Sequence, residues 1–328
     1  MSRHETPARK GVAQRRVAIL GPQHPNVLAL VQESGETIAH DFREAEIVHL
    51  TVHESETADA LADALGTARV VVMHQLPTSL EVADLDDLAA QAEAAGTVVA
   101  VPFVHRYYPM VRLARRRVRS ATPGPLHMLH GWATPDAVSA WCDLLEFITS
   151  HRVQRLVTTT VAATSVHSAD GRADTPGALG MLFETDRGAA GTLAVSQTRP
   201  VEGGTLLLAL DGVEESIVFH EGRPEVLDVM GLRATQRFQR GVGADVSRYS
   251  TQPAGYPQGY RDCWTSFVAD AHSAADGRAP DGLPTLADLV RAARLAAAIR
   301  ESVQSATWAE VDPDSELDPL NITEGKTA

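Results

Sequence analysis

Lysine is almost missing from this chain. Of its 29 basic residues 27 are Arg, and the two lysines, Lys10 and Lys326, sit near its ends. Chemistry that needs a lysine amine inside a folded site is therefore excluded at the outset. Cysteine is scarce too: Cys142 and Cys263 cannot make a disulfide framework or a cysteine metal site, which points to a reducing cytoplasm. No stretch reaches the roughly 18 apolar residues of a membrane span, and the polar residues 1–14 hold no signal-peptide core. Positive charge is also short. With a net charge of −13 and no basic stripe, neither nucleic acid nor an anionic membrane is an expected partner.

What is present is enough chain for two domains, 328 residues at roughly 150 per domain. Residues 16–21 (RVAILG) read as a strand ending at glycine, and residues 25–34 carry helical spacing. Strands at 47–52, 69–73 and 97–103 alternate with helices at 54–65 and 79–95. That alternation implies a parallel, doubly wound sheet over residues 15–105. Only 24 residues separate Gly21 from Glu46, too few for a full crossover unit of roughly 30, so one unit is expected to be missing or collapsed.

The pattern then changes. A basic helix at 109–119, a strand at 126–132 and an apolar helix at 138–149 precede successive strands at 155–162, 177–185, 191–197, 205–211 and 216–220. Tight-turn residues separate them, as in an antiparallel sheet. Helices at 259–275 and 285–305 close the second domain, which spans 106–311 and packs its last helices back on the first. Residues 1–14 and the acidic tail 312–328, with Asp312, Asp314, Glu316 and Asp318, are expected to be disordered.

Near the C-terminus stand Pro253-Ala254-Gly255-Tyr256, Tyr260-Arg261-Asp262 through Phe267-Val268-Ala269-Asp270, Pro284-Thr285-Leu286-Ala287-Asp288 through Ser302, and Trp308-Ala309-Glu310-Val311. This series, with Val101-Pro102-Phe103-Val104-His105-Arg106-Tyr107-Tyr108-Pro109, resembles the glucose-fructose oxidoreductase and inositol dehydrogenase family (Gfo/Idh/MocA). The resemblance implies a Rossmann-type domain, here reduced by the short Gly21–Glu46 spacing, followed by an antiparallel α+β domain, an NAD or NADP cofactor, and a sugar, cyclitol or related polyol as substrate. It also implies a homo-oligomer, or a hetero-oligomer with an intact family member, formed through the open sheet face.

Laid on this chain, the family's functional positions are altered. The turn Gly21-Pro22-Gln23-His24-Pro25-Asn26 keeps one glycine of the G-x-G-x-x-G pattern, puts a side chain at Gln23 and loses two N–H donors to proline. It reads either as a degenerate phosphate loop or as a plain strand-to-helix turn. Asp41 has the separation of a ribose-binding acid, but with the crossover unit missing it reads better as a turn or cap residue. Thr51 opens a segment in which Glu56 would repel cofactor phosphates. In the Glu-Lys-Pro turn His74 stands where the family has lysine. In the Asp-x-x-x-His-x-x-Asp stretch Asp136 and Asp143 are kept, with Ala140 at the place of the histidine.

His74 can serve as a base near neutral pH or as a structural histidine. Asp136 and Asp143 are seven apart, on one face of a helix, unless Asp136 caps it. His105 and Arg106 could reach a polyol or carboxylate, with an ion pair as the other role for Arg106. The Arg112, Arg115, Arg116, Arg117 and Arg119 run reads as a solvated face or a source of ion pairs. His127 and His130 point to opposite faces of a strand, His49 and His53 lack a ligand set, and no metal is expected. Two functions follow: a family homologue without hydride transfer, acting as an accessory or ligand-binding protein, or an active oxidoreductase using His74.

Overall fold

The computed structural model describes residues 15–22, 27–29, 31, 36–161, 177–196, 204–241, 247–253, 255–278 and 280–312. Gln23, residues 1–14 and the tail beyond Asp312 lie outside them. Strands β1 (Arg16–Leu20), β2 (Thr37–Ile38), β3 (Ile47–Leu50), β4 (Val70–Met73) and β5 (Val98–Ala100) form one parallel sheet in the order β2-β1-β3-β4-β5. Every residue of β3 and β4 is buried because both faces of the sheet are covered. Helices α1 (Thr57–Ala64) and α2 (Val82–Ala95) cover one face, where Ala18, Val48, Leu50, Val71, Met73 and Val99 join Leu61 and Leu85. The opposite face, with Val17, Ile47, Val70, Val72 and Ala100, belongs to the main core, along with Cys263, Phe267, Val268 and Ala271 of α5 (Tyr260–Ala274).

The expected loss of a crossover unit is present. Strand β2 is a two-residue stub, and a single 3-10 turn, Phe42–Glu44, leads from it to β3.

The second sheet has nine strands in the order β13-β12-β11-β10-β6-β9-β8-β7-β14. These are β6 (Leu126–Ala133), β7 (Val153–Val161), β8 (Ala178–Thr185), β9 (Ala190–Ser196), β10 (Leu206–Gly212), β11 (Glu215–His220), β12 (Val226–Gly231), β13 (Thr235–Gln239) and β14 (Ala309–Glu310). All pairs are antiparallel except β6 with β9. Sequence patterning missed β12, which does bury Leu227 and Val229 on one face, and β13, whose polar and exposed residues weaken the alternation.

Helices α3 (Pro109–Arg119) and α4 (Val138–Thr149) cover the inner face of this sheet, and α6 (Leu286–Ser305) ties the two sheets together. Its start is fixed twice over. Asp288 Oδ2 accepts from the Thr285 N–H at 2.8 Å as a capping box, and Ala100 bridges to Thr285.

Of the two readings of the arginine run of α3, the source of ion pairs is the one found and the solvated face is not: only Arg116 and Arg119 are exposed. Arg112 and Arg115 lie over the Phe147 ring at 5.0 and 4.0 Å, and Arg117 pairs with Glu215 at 2.6 Å. Burial lowers the Arg115 guanidinium to about 10, the cause being desolvation that Asp281 only partly offsets.

Candidate functional site

Open parallel sheets collect ligands at the carboxyl ends of their strands. There, Gly21 has φ +111°, and a Cβ would come within 2.7 Å of Val52 N and 2.8 Å of Thr51 C. Only glycine fits, so the one surviving glycine is required by the β1–β3 contact itself. Thr51 donates its hydroxyl to the Pro22 carbonyl at 2.7 Å and ties the turn to β3. Asp41 N-caps the 3-10 turn, its carboxylate accepting from Arg43 N at 3.0 Å. The cap reading of Asp41 is the one the geometry gives.

Nearby, Glu54 accepts from Thr78 Oγ1 at 2.8 Å and Ser79 N at 2.6 Å, which holds its carboxyl below the ordinary range. A dinucleotide needs N–H donors after β1 and a free carboxylate at the end of β2. Pro22 has no N–H, one Asp41 oxygen accepts from the backbone of Arg43, and β2 is a stub; residues 23–26 of the turn lie outside the described residues.

His74 directly follows β4 and is not a lone histidine. Its Nε2 lies 2.9 Å from His49 Nδ1, and His49 Nε2 lies 2.9 Å from His272 Nε2. His272 Nδ1 in turn is 2.9 Å from Glu36 Oε2, and Arg15 Nε is 3.4 Å from Glu36 Oε1. Strand geometry explains the assembly. His49 shares a face with Ile47, His74 continues the face of Val70 and Val72, and α5, which carries His272, packs on that face. His49 is fully buried, and this desolvation, with the neighbouring His272 and His74, holds its imidazole well below the usual range. The chain runs end to end, so the three rings do not converge on one point as metal ligands would. Trp264 of α5 closes on His74 with ring centroids 4.9 Å apart.

The two motif aspartates are separated, contrary to the expected shared face. Asp136 is exposed in the 3-10 turn Pro135–Ala137, makes no cap, and Ala140 in α4 is half-buried. Asp143 is buried against Arg106, whose Nε donates to Oδ2 at 2.9 Å, with a second bond from Arg106 Nη2 to Oδ1. Arg106 Nη2 also reaches Asp288 Oδ1 at 2.6 Å. Arg106 is thus an ion-pair residue joining α4 and α6.

His105 stands apart from it. Its Nε2 is 3.0 Å from Glu221 Oε1, and Thr205 donates to Glu221 Oε2 from N at 2.7 Å and Oγ1 at 2.6 Å. The Tyr108 and Tyr260 rings flank His105 at 6.0 and 5.8 Å. Burial works to raise the Glu221 carboxyl, but the His105 and Thr205 hydrogen bonds outweigh it and hold the group at about 2, against an ordinary 4.5. A carboxyl lowered on folding contributes stability above its unfolded value, and that stability is lost as pH falls from 4.5 through about 2. In acid titration followed by circular dichroism, Glu221→Gln should lose less stability than the parent over that window. An unchanged acid limb would contradict the assignment.

Among solved structures, an oxidoreductase from Sinorhizobium meliloti matches with a TM-score of 0.78 at 18% identity, over 90% of this chain and 99% of that one. An inositol dehydrogenase homologue from Azotobacter vinelandii, complexed with NAD+, matches with a TM-score of 0.73 at 16% identity, over 93% and 100%. Levoglucosan dehydrogenase, in complex with NADH and levoglucosan, matches with a TM-score of 0.74 at 16% identity, over 92% and 90%. No family model matches the sequence, and no curated protein matches it significantly.

Proposed function

We propose that this chain, which has the two-domain fold of the inositol and levoglucosan dehydrogenases, is a ligand-binding member of that fold that has lost dinucleotide-dependent hydride transfer. The observation that carries the reading is the corner after β1. Thr51 holds the Gly21-Pro22 turn by its carbonyl, and Asp41, at the ribose position, has its carboxylate on Arg43 N. The chemistry positions agree: Ala140 offers no proton acceptor, and Asp143 is engaged by Arg106. The ligand class it would take is a small polyol, bound near the carboxyl ends of the parallel strands.

Titration of the purified protein with NADH and NADPH, followed by fluorescence and thermal shift, should give no saturable binding up to about 1 mM. A low-micromolar dissociation constant for either would overturn the reading. The alternative, an active oxidoreductase with His74 as base, is favoured by the buried chain behind His74. It requires that cofactor binding be found and that His74→Ala abolish turnover while leaving binding intact.

Association through the open sheet face belongs to the same proposal. Supporting it, Met128, Leu182 and Met230 are exposed on strands of the nine-stranded sheet, in rows that register on one face. Light scattering should show an oligomer that Leu182→Glu dissociates; a monomeric parent would contradict it.

A further inference from the structure

Between α4, α6 and the turn joining β8 to β9 lies a cavity of about 420 Å³, none of whose wall residues belongs to the parallel sheet. In a chain of net charge −13, five arginines reach this one wall: Arg106, Arg115, Arg152, Arg187 and Arg291. The carboxylates among them are already engaged. Asp143 holds Arg106 with both oxygens, and Asp288 divides its two between Arg106 and the Thr285 N–H. Glu146 accepts from Arg291 Nη2 at 2.8 Å, Arg152 Nη1 at 2.5 Å and Val153 N at 3.0 Å, and Asp186 accepts from Arg152 N at 2.7 Å.

Two of the arginines are not held by these acids. The Arg187 side chain, exposed in the β8–β9 turn, makes no ion pair or hydrogen bond among the described residues. Arg115 also lacks an acceptor: its Nε and Nη1 are buried without a hydrogen bond, the Asp281 carboxylate standing 3.4 Å from Nη1. Its guanidinium is nevertheless fixed. It lies 4.0 Å from the centre of the Phe147 ring, and Gly282 closes on it so tightly that a Cβ there would come within 2.5 Å of Nη1. A cation buried with unmet donors is costly until an acceptor joins it, and at about 10 this group is still charged at neutral pH. Phe147, Ala292 and Leu295 give the same wall an apolar part. The volume falls within the roughly 300–1,000 Å³ of small-molecule sites.

We propose that this cavity is a binding site for a small organic anion, a carboxylate or phosphate on a compact carbon skeleton, with Arg115 and Arg187 as its cationic contacts and Phe147 beside the carbon part. Arginine suits the task because its fork bonds carboxylate and phosphate oxygens alike. The guanidinium of Arg115 is held in place before any ligand arrives, so little ordering is left to oppose binding. The wall takes residues from α3, α4, α6 and the β8–β9 turn, so an anion seated there joins the nine-stranded sheet to the helix that ties both sheets together. The inference is independent of the polyol reading, since it uses neither the corner after β1 nor His74.

Calorimetric titration of the full-length protein with phenyl phosphate and with benzoate, in low-chloride buffer at neutral pH, tests the site. At least one of the two should saturate a single site with a dissociation constant below about 1 mM and raise the melting temperature. Inorganic phosphate, which lacks the carbon part, should bind about tenfold more weakly; equal affinity would overturn the organic ligand class. Arg187→Met, on an exposed turn, should fold as the parent does and lose about tenfold in affinity, and Arg115→Met should lose at least as much. Arg155→Met removes an exposed arginine outside the cavity and should change affinity by less than about twofold. No saturable binding of either probe by about 10 mM overturns the proposal. So does binding that Arg187→Met leaves intact, or that Arg155→Met weakens equally. The Arg187 variant decides the matter even where Arg115→Met does not fold.

Discussion

Arg106→Leu is expected to destabilise the protein by about 3–5 kcal/mol, read as a fall in the urea midpoint with an unchanged slope. The arginine is buried between Asp143 and Asp288, and its loss leaves the Asp143 carboxyl in the core without its counter-ion and hydrogen-bond donors. Asp143→Leu in the same background should recover at least half of the loss, because replacing both members of a buried pair costs far less than removing one. Additivity of the two single changes would contradict this account.

The pH dependence has a definite sign. Burial pushes the Asp143 carboxyl up from 3.8 to about 6, with Arg106 working against it and the second carboxylate, Asp288, working with it. Between those values the folded state holds a proton that the unfolded chain does not. This group therefore adds stability as pH falls through about 6, and the gain is complete below 3.8. In Arg106→Leu the opposing charge is gone, so recovery on mild acidification should begin at higher pH than in the parent.

Gly131→Ala should cost about 3 kcal/mol through overpacking. A Cβ at this position would lie 2.0 Å from the Leu207 carbonyl oxygen of β10 and 2.7 Å from Trp141 Nε1. Trp141 is fully buried and donates to that same carbonyl at 2.8 Å, so neither neighbour can yield without breaking the other's bond. The register pairs Gly131 with Leu208 and Leu193, in the middle of the sheet where strand separation is fixed on both sides. Thermal and urea unfolding would check the magnitude. A change within a few tenths of a kcal/mol would mean that the sheet accommodates the methyl group by a route the packing does not suggest.

The helices and the parallel strands were legible because their cause is local. Apolar period and cap residues are carried by neighbouring positions, and α3 and α4 have the bounds that the pattern indicates. The stub at β2 was legible by length alone. Strand β13 was not, since it is held by its neighbour's ladder and not by a buried alternating face, and β12, although Leu227 and Val229 are buried, was missed with it. Among site residues, Asp41 kept two readings because an Asx cap and a ribose ligand need the same residue at the same spacing. The His49 to His74 contact was within reach of sequence reasoning: two parallel strands in register and a parity argument place both on one face. Glu36 and His272 were not, for nothing local links them.

By itself, then, the sequence determined two things: a two-sheet fold, through periodicities that are properties of short segments, and the absence of an internal lysine from any site. The tertiary structure decided what His74 and Asp143 are joined to. His74 becomes one end of a carboxylate-anchored chain only when α5 closes on β3 and β4, and Asp143 becomes a structural ion only when α4 and α6 bring it to Arg106 and Asp288. Hydrogen-bond partner and counter-ion depend on distances across the fold, which residue types alone do not specify.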